Sequence, residues 1–169
     1  AASDVYKRQI YLYDWAGEPW KAQYWVREVM DRMYTPAPDG YCGDEDNGQT
    51  SAWYVFSSLG FYPVAPGSDE YALGSPLFKK MTVNLENGKK LEINAPANSD
   101  KNRYINRMTV NGKEYDKNYI TFPMIMEGAV IDFDMTDKPN LTRGTSDQSL
   151  PYSFSNELKA KDSKKGKKK

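Results

Sequence analysis

The pattern of apolar and polar positions changes character once along this chain. From Pro19 to Tyr34 the apolar residues Ala22, Trp25, Val26, Val29, Met30 and Met33 recur at helical spacing. Pro19 sits where a first helical turn accepts proline, and Thr35-Pro36-Ala37-Pro38-Asp39-Gly40 stops the helix. A second helix is predicted from about Asn47 to Leu59, with Gly60 as its C-terminal stop and a buried stripe of Ala52, Trp53, Val55, Phe56 and Leu59. The two helices form a hairpin around the loop between them. Each stripe is wide and aromatic, so both must pack against more protein than the pair supplies.

After Pro63 and Pro66 the period drops to two. Met81-Val83-Leu85 alternates, Asn87-Gly88 offers a hairpin turn, and Leu91-Ile93-Ala95 alternates again. Tyr104 to Val110 is a further strand followed by a second turn signal at Asn111-Gly112, and Tyr119 to Phe122 and Ala129 to Met135 complete the set. This half reads as a small antiparallel β module, a sandwich or part of one. Beyond about Pro139 the sequence turns polar and reads as loop, then disorder. Ile10 to Trp15 alternates only loosely before Gly17.

Charge and composition narrow the chemistry. The formal net charge is zero, but Lys159 to Lys169 holds seven Lys and one Asp, so the tail carries +6 and the rest −6. Such a tail reads as a solubilising terminus, and no nucleic-acid motif accompanies it. No apolar run approaches a membrane span, and no secretory signal is visible. The opening AASDVYKRQ joins abruptly to the segment that begins at Ile10 and resembles a translated adapter remnant, so residues 1–9 are set aside from fold reasoning. There is no His, and Cys42 is alone. That excludes Ser-His or Cys-His catalysis, a His-containing zinc site and an internal disulfide within this sequence. Carboxylates, amides, hydroxyls and aromatic rings remain, and a metal here would be a hard, oxygen-seeking one.

The candidate chemistry lies in one loop. Asp44, Glu45 and Asp46 stand side by side between Gly43 and Gly48. Crowded carboxylates repel unless a cation, a substrate or a helix N-terminus offsets them. Asp46 followed by Gln49 has the spacing of a capping box, and on spacing alone capping is the favoured role of Asp46. The same position keeps a carboxylate ionised, as a general base must be. Asp44-x-Asp46-x-Gly48 hints at a calcium loop but fails the EF-hand pattern, because Val55 stands where Glu is required. Paired carboxylates in an aromatic cleft suit glycoside hydrolysis, and Trp15, Trp20, Trp53 and Tyr54 could stack on sugar rings, core packing being the favoured role of Trp53.

The runs YLYDWAGEPWKAQYWVREVM and PDGYCGDEDNGQTSAWYVFSSLGFYPVAPGSDEYALGSPLF, with the strands MTVNLENGKKLEINAPANS and MTVNGKEYDK, resemble glycoside hydrolase family 92. The resemblance covers about Ile10 to Pro139. It implies a calcium-dependent, inverting exo-α-mannosidase built from a β-sandwich and an (α/α)6 barrel. The fold implied is α+β: residues 10–66 as terminal barrel helices with the acidic loop, 67–139 as the antiparallel β module, and 140–169 as a polar, Lys-rich disordered tail. By match to the family's loop, Asp46 is implied as the general base and Asp44 as its partner. The general-acid Glu and most calcium ligands are implied upstream, in a missing N-terminal part of the same polypeptide. The fragment alone is therefore expected to be inactive. The implied substrate is a mannose-containing glycan, of N-glycan or mannan type, with α-1,2 linkages the commonest expectation. The implied location is secreted, periplasmic or cell-surface, in a bacterium. A non-catalytic carbohydrate-binding module is the alternative. For the β half alone, a structural role is preferred.

Overall fold

The computed structural model describes residues 7–41 and 43–156. Residues 1–6, Cys42 and the Lys-rich end 157–169 lie outside that description, as do the expectations placed on them.

A 3-10 helix, Gln9–Asp14, leads into α1, Pro19–Met33, and then α2, Gln49–Leu59. Short strands β1, Phe61–Tyr62, and β2, Glu70–Leu73, come after them. Next are β3, Lys80–Asn84, β4, Lys90–Asn94, β5, Tyr104–Val110, and β6, Lys113–Glu114. The chain then forms β7, Tyr119–Thr121, the single-turn α3, Phe122–Met126, and β8, Ala129–Thr136. The fold is α+β, with one three-stranded sheet in the order β1-β2-β7 and one five-stranded sheet in the order β3-β4-β8-β5-β6. The expected helices and later strands are present. The pair β1-β2 is not legible in the sequence, because strands of two and four residues are too short to show a period.

The β half is not purely antiparallel. β8 inserts between β4 and β5, pairing parallel with β4 and antiparallel with β5. As the central strand it buries Ala129, Ile131, Phe133 and Met135 on one face. These meet Leu91, Ile93, Ile105 and Met108 from its neighbours and Phe61, Leu73 and Ile120 from the smaller sheet, so one core fills the space between the two sheets. Register in β5 slips between Ile105 and Arg107, which leaves Asn106 and Arg107 consecutively exposed and returns Met108 to the core. Both turn signals hold: Gly88 closes the β3-β4 hairpin at φ +80, and Asn111-Gly112, at φ 51 and 75, make the left-handed pair of a type I′ turn.

A second core binds the helices to the smaller sheet. Tyr11, Val26, Val29, Met30 and Trp53 pack with Tyr62 and Ala72. α1 buries Ala22, Val26, Val29 and Met30 as expected, but Trp25 is exposed. In α2 the stripe departs further from expectation: Trp53, Thr50, Ser57 and Ser58 are buried, while Ala52 and Val55 face out. Polar anchors join α1 to the β half. Gln23 Oε1 accepts the Ile105 amide at 2.9 Å, and the buried Arg27 guanidinium donates to Pro76 O at 3.0 Å and Asn98 Oδ1 at 2.8 Å.

Residues 140–156 are mostly loop, but they are packed and placed, in contrast to the disorder expected of a polar stretch. Asn118 N donates to Ser149 O at 2.8 Å, and buried Arg143 donates to Tyr115 O and Lys117 O at 3.2 and 3.1 Å.

Candidate functional site

The acidic loop is built by its flanks. After α1, Thr35 N donates to Gly40 O and Gly40 N to Ala37 O, each at 2.9 Å, and a bridge pairs Tyr34 with Tyr41. Only glycine fits at position 40, where a Cβ would lie 1.9 Å from Thr35 O. On the other side, Asp46, Asn47 and Gly48 take three successive left-handed conformations, at φ 56, 57 and 92. Gly48 is the N-cap of α2, and no side chain caps from that position.

The capping box is therefore not formed by Asp46. Glu45 fills the capping role: its Oε1 accepts the Ser51 amide at 3.2 Å and the Ser51 hydroxyl, and its carbonyl accepts Thr50 N at 3.0 Å. The left-handed turn carries Asp46 away from the helix axis. Its Oδ2 instead meets Lys7 Nζ at 2.8 Å, with Lys7 almost fully buried and Asp46 39% exposed. Lys7 also donates to Thr50 Oγ1 at 2.5 Å, and the Lys7 carbonyl accepts Trp53 Nε1 at 2.5 Å. Lys7 lies in the stretch that reads as an adapter remnant, and its pairing with Asp46 joins positions 39 residues apart. Nothing in the local sequence signals it.

Asp44 is exposed, and its carbonyl accepts Thr50 Oγ1 at 2.9 Å. The buried Thr50 thus ties the Asp44 backbone, the Lys7 ammonium and the first turn of α2 together, a role the sequence does not reveal. Asp44 and Asp46 share one loop whose backbone is held on both sides while their side chains reach solvent.

Aromatic residues gather beside the loop. Trp53 is fully buried and stacks on Tyr34, with centroids 5.6 Å apart at 11°, so it belongs to the core and does not offer a face to a sugar. Tyr34, Tyr41, Tyr54 and Val55 line an open hollow of about 530 Å³. Trp15 donates its Nε1 to Tyr152 O at 2.8 Å. Among the described residues no group of three His, Cys, Asp or Glu is placed to hold a metal ion. Glu45 Oε1 is committed to Ser51 and Asp46 Oδ2 to Lys7, so neither of these two oxygens is open to a calcium ion. No helix of the described residues is long and apolar enough to cross a membrane.

Comparison with known proteins adds an independent line. Residues 6–137 match the glycosyl hydrolase family 92 catalytic domain. The structure is similar to that of the family GH92 alpha-mannosidase BT3965 from Bacteroides thetaiotaomicron, at a TM-score of 0.84 and 46% identity, covering 88% of this chain and 20% of that one. It is similar also to the family GH92 inverting mannosidase BT2199 from the same organism, at a TM-score of 0.83 and 51% identity over the same shares. A protein of Arthroderma benhamiae described as an uncharacterized secreted glycosidase is 26% identical over 147 residues, which are 85% of this chain and 19% of that protein. The chain thus spans about a fifth of the length of these relatives.

Proposed function

The chain belongs to glycosyl hydrolase family 92, and on that premise we propose that it is part of an inverting exo-α-mannosidase to which it contributes the general-base loop. Asp46 is the base in this reading and Asp44 its partner in orienting the attacking water. The observation that carries the reading is the loop from Asp44 to Asp46, inside the matched region, where Asp46 is spared helix capping and keeps a partly exposed carboxylate. An inverting glycosidase holds its two carboxyl groups roughly 6.5–9.5 Å apart to admit a water. A base on its own loop, far in sequence from the acid, suits that requirement. The general acid lies in a part of the longer polypeptide outside this chain. The helices described belong to the end of an (α/α)6 barrel. Calcium is held mainly by residues outside this chain. The substrate is a terminal α-linked mannose on an N-glycan or mannan, α-1,2-linked first of all, and the longer protein works outside the cytoplasm of a bacterium. The β module buttresses the barrel and binds no sugar of its own.

The test uses the longer protein. Mannose release from α-1,2-mannobiose, with calcium and with chelator, is measured for the parent and for Asp46→Asn. Calcium-dependent release that falls at least about 10³-fold in the variant, with unchanged circular dichroism, supports the reading. Release that survives the substitution removes Asp46 as the base. The 169-residue chain alone should release no mannose.

A further inference from the structure

Away from the acidic loop, the 3-10 helix and the C-terminal segment meet at three buried polar side chains. Asp14 and Asn118 are fully buried, and Arg143 is 7% exposed. Asn118 ties the two segments through their backbones: its Nδ2 donates to the carbonyl of Gly144, next to Arg143, at 2.7 Å and more weakly to the Asp14 carbonyl at 3.4 Å. Gly144 makes this approach possible, since a Cβ there would lie 2.0 Å from Asn118 Oδ1. Arg143 commits Nη2 to the carbonyls of Tyr115 and Lys117.

The remaining polar atoms are unmatched on both sides. Among the described residues, the buried Asp14 Oδ1 and Oδ2 and Asn118 Oδ1 have no hydrogen-bond partner, and neither do the buried donors Arg143 Nε and Nη1. Nε carries one hydrogen and Nη1 two, so the unmatched set holds N–H donors on Arg143 and oxygens on Asp14 and Asn118. Leaving a set of this kind dry is unfavourable, because each orphaned buried group keeps its full desolvation penalty, and a charged group most of all. The charges act on each other: Arg143 pulls the Asp14 carboxyl down against the larger upward push of burial. The carboxyl group and the guanidinium do not touch directly, however. The other titratable groups at hand are engaged. Asp116 accepts Gly144 N and Ser149 Oγ, Tyr115 donates to Tyr119 O, and Tyr11 hydrogen-bonds Ser57.

We propose that Asp14, Asn118 and Arg143 form a buried hydration site, in which one or two ordered waters bridge the Asp14 carboxyl group to the Arg143 guanidinium. A buried water typically makes about three hydrogen bonds to groups that lack partners, and this site offers both donors and acceptors. The ligand is water and not a metal cation, because the guanidinium already supplies the positive charge. The bridge joins the 3-10 helix to the C-terminal segment that hydrogen-bonds residues 115–118, so it fixes that segment without a direct ion pair.

A crystal structure of the protein at neutral pH, at a resolution that shows ordered solvent, tests this directly. A water within about 3.2 Å of an Asp14 carboxyl oxygen and of Arg143 Nε or Nη1 is the expected result. A direct carboxyl–guanidinium contact, or a dry gap, overturns the proposal. Two variants give a second reading. Asp14→Leu removes the acceptor and should lower the melting midpoint by roughly 5 °C. Asp14→Asn keeps a carbonyl oxygen for the water and should lose less than half as much. If Asp14→Leu melts with the parent, or if Asp14→Asn loses as much as Asp14→Leu, the site is not as described.

Discussion

Glu45 Oε1 accepts the backbone amide of Ser51 at 3.2 Å, two positions beyond the first residue of α2. The carboxylate that holds the helix start is thus the neighbour of the one implied to do chemistry. Glu45→Ala should lower stability by about 1 kcal/mol, the usual loss of a capping side chain. Glu45→Gln should retain most of it, since its amide oxygen can accept the same bond. Urea unfolding of the three proteins, followed by far-ultraviolet circular dichroism, checks the order. Equal midpoints for parent and Glu45→Ala would remove Glu45 as the cap.

The two faces of α2 should respond oppositely to substitution. Trp53 is fully buried between Tyr11, Tyr34 and Tyr62, so Trp53→Ala should destabilise by roughly 3–5 kcal/mol through lost burial and the cavity left behind. Val55 is 57% exposed, so Val55→Lys should change stability in this chain by no more than about 0.5 kcal/mol. In the longer protein the same Lys should be far less tolerated if barrel helices cover that face. Melting curves of each variant in both lengths give the comparison.

Asp14 makes stability depend on pH in a defined direction. Burial raises its carboxyl well above the ordinary range, and Arg143 only partly offsets this. The folded state therefore binds this proton more tightly than the unfolded state does. Its contribution is fully favourable below the unfolded value, near pH 4, and declines as pH rises toward the folded value. Asp14→Asn has no such group, so the midpoint of the variant relative to the parent should shift upward as pH rises from about 4 to 7. A difference that stays constant across that range would show that Asp14 does not titrate as its burial demands.

Gly40 is a steric requirement of the turn that precedes the acidic loop. Gly40→Ala places a methyl against Thr35 O and should cost roughly 1–3 kcal/mol, with the Tyr34–Tyr41 bridge loosened. Hydrogen exchange at the Thr35 amide, which donates to Gly40 O, is the local readout. Unchanged protection there would show that the turn absorbs the methyl.

Local chemistry carried much of this protein in its sequence. Asn111-Gly112 announced a type I′ turn because few residue pairs accept two positive φ angles in succession. Gly60 announced the end of α2, and the alternation of Ala129 to Met135 announced a strand with one buried face. The motif around Asp44 and Asp46 was recognisable as a string. The rest was decided by contacts between distant residues. Alternation tells which side of β8 is buried, but not that the strand enters between β4 and β5 and runs parallel to one of them. Spacing offered Asp46 as the cap, but its neighbour Glu45 has that role, and Asp46 pairs with Lys7, 39 residues earlier. Exposure of Trp25 and Val55 on helices with apolar stripes likewise depends on what lies alongside them. Turns, caps and periods follow from the backbone preferences of a few adjacent residues, so the sequence by itself determined them. Strand order, the partner of a carboxylate and the covered face of a helix follow from which distant surfaces meet, and only the tertiary structure decided those.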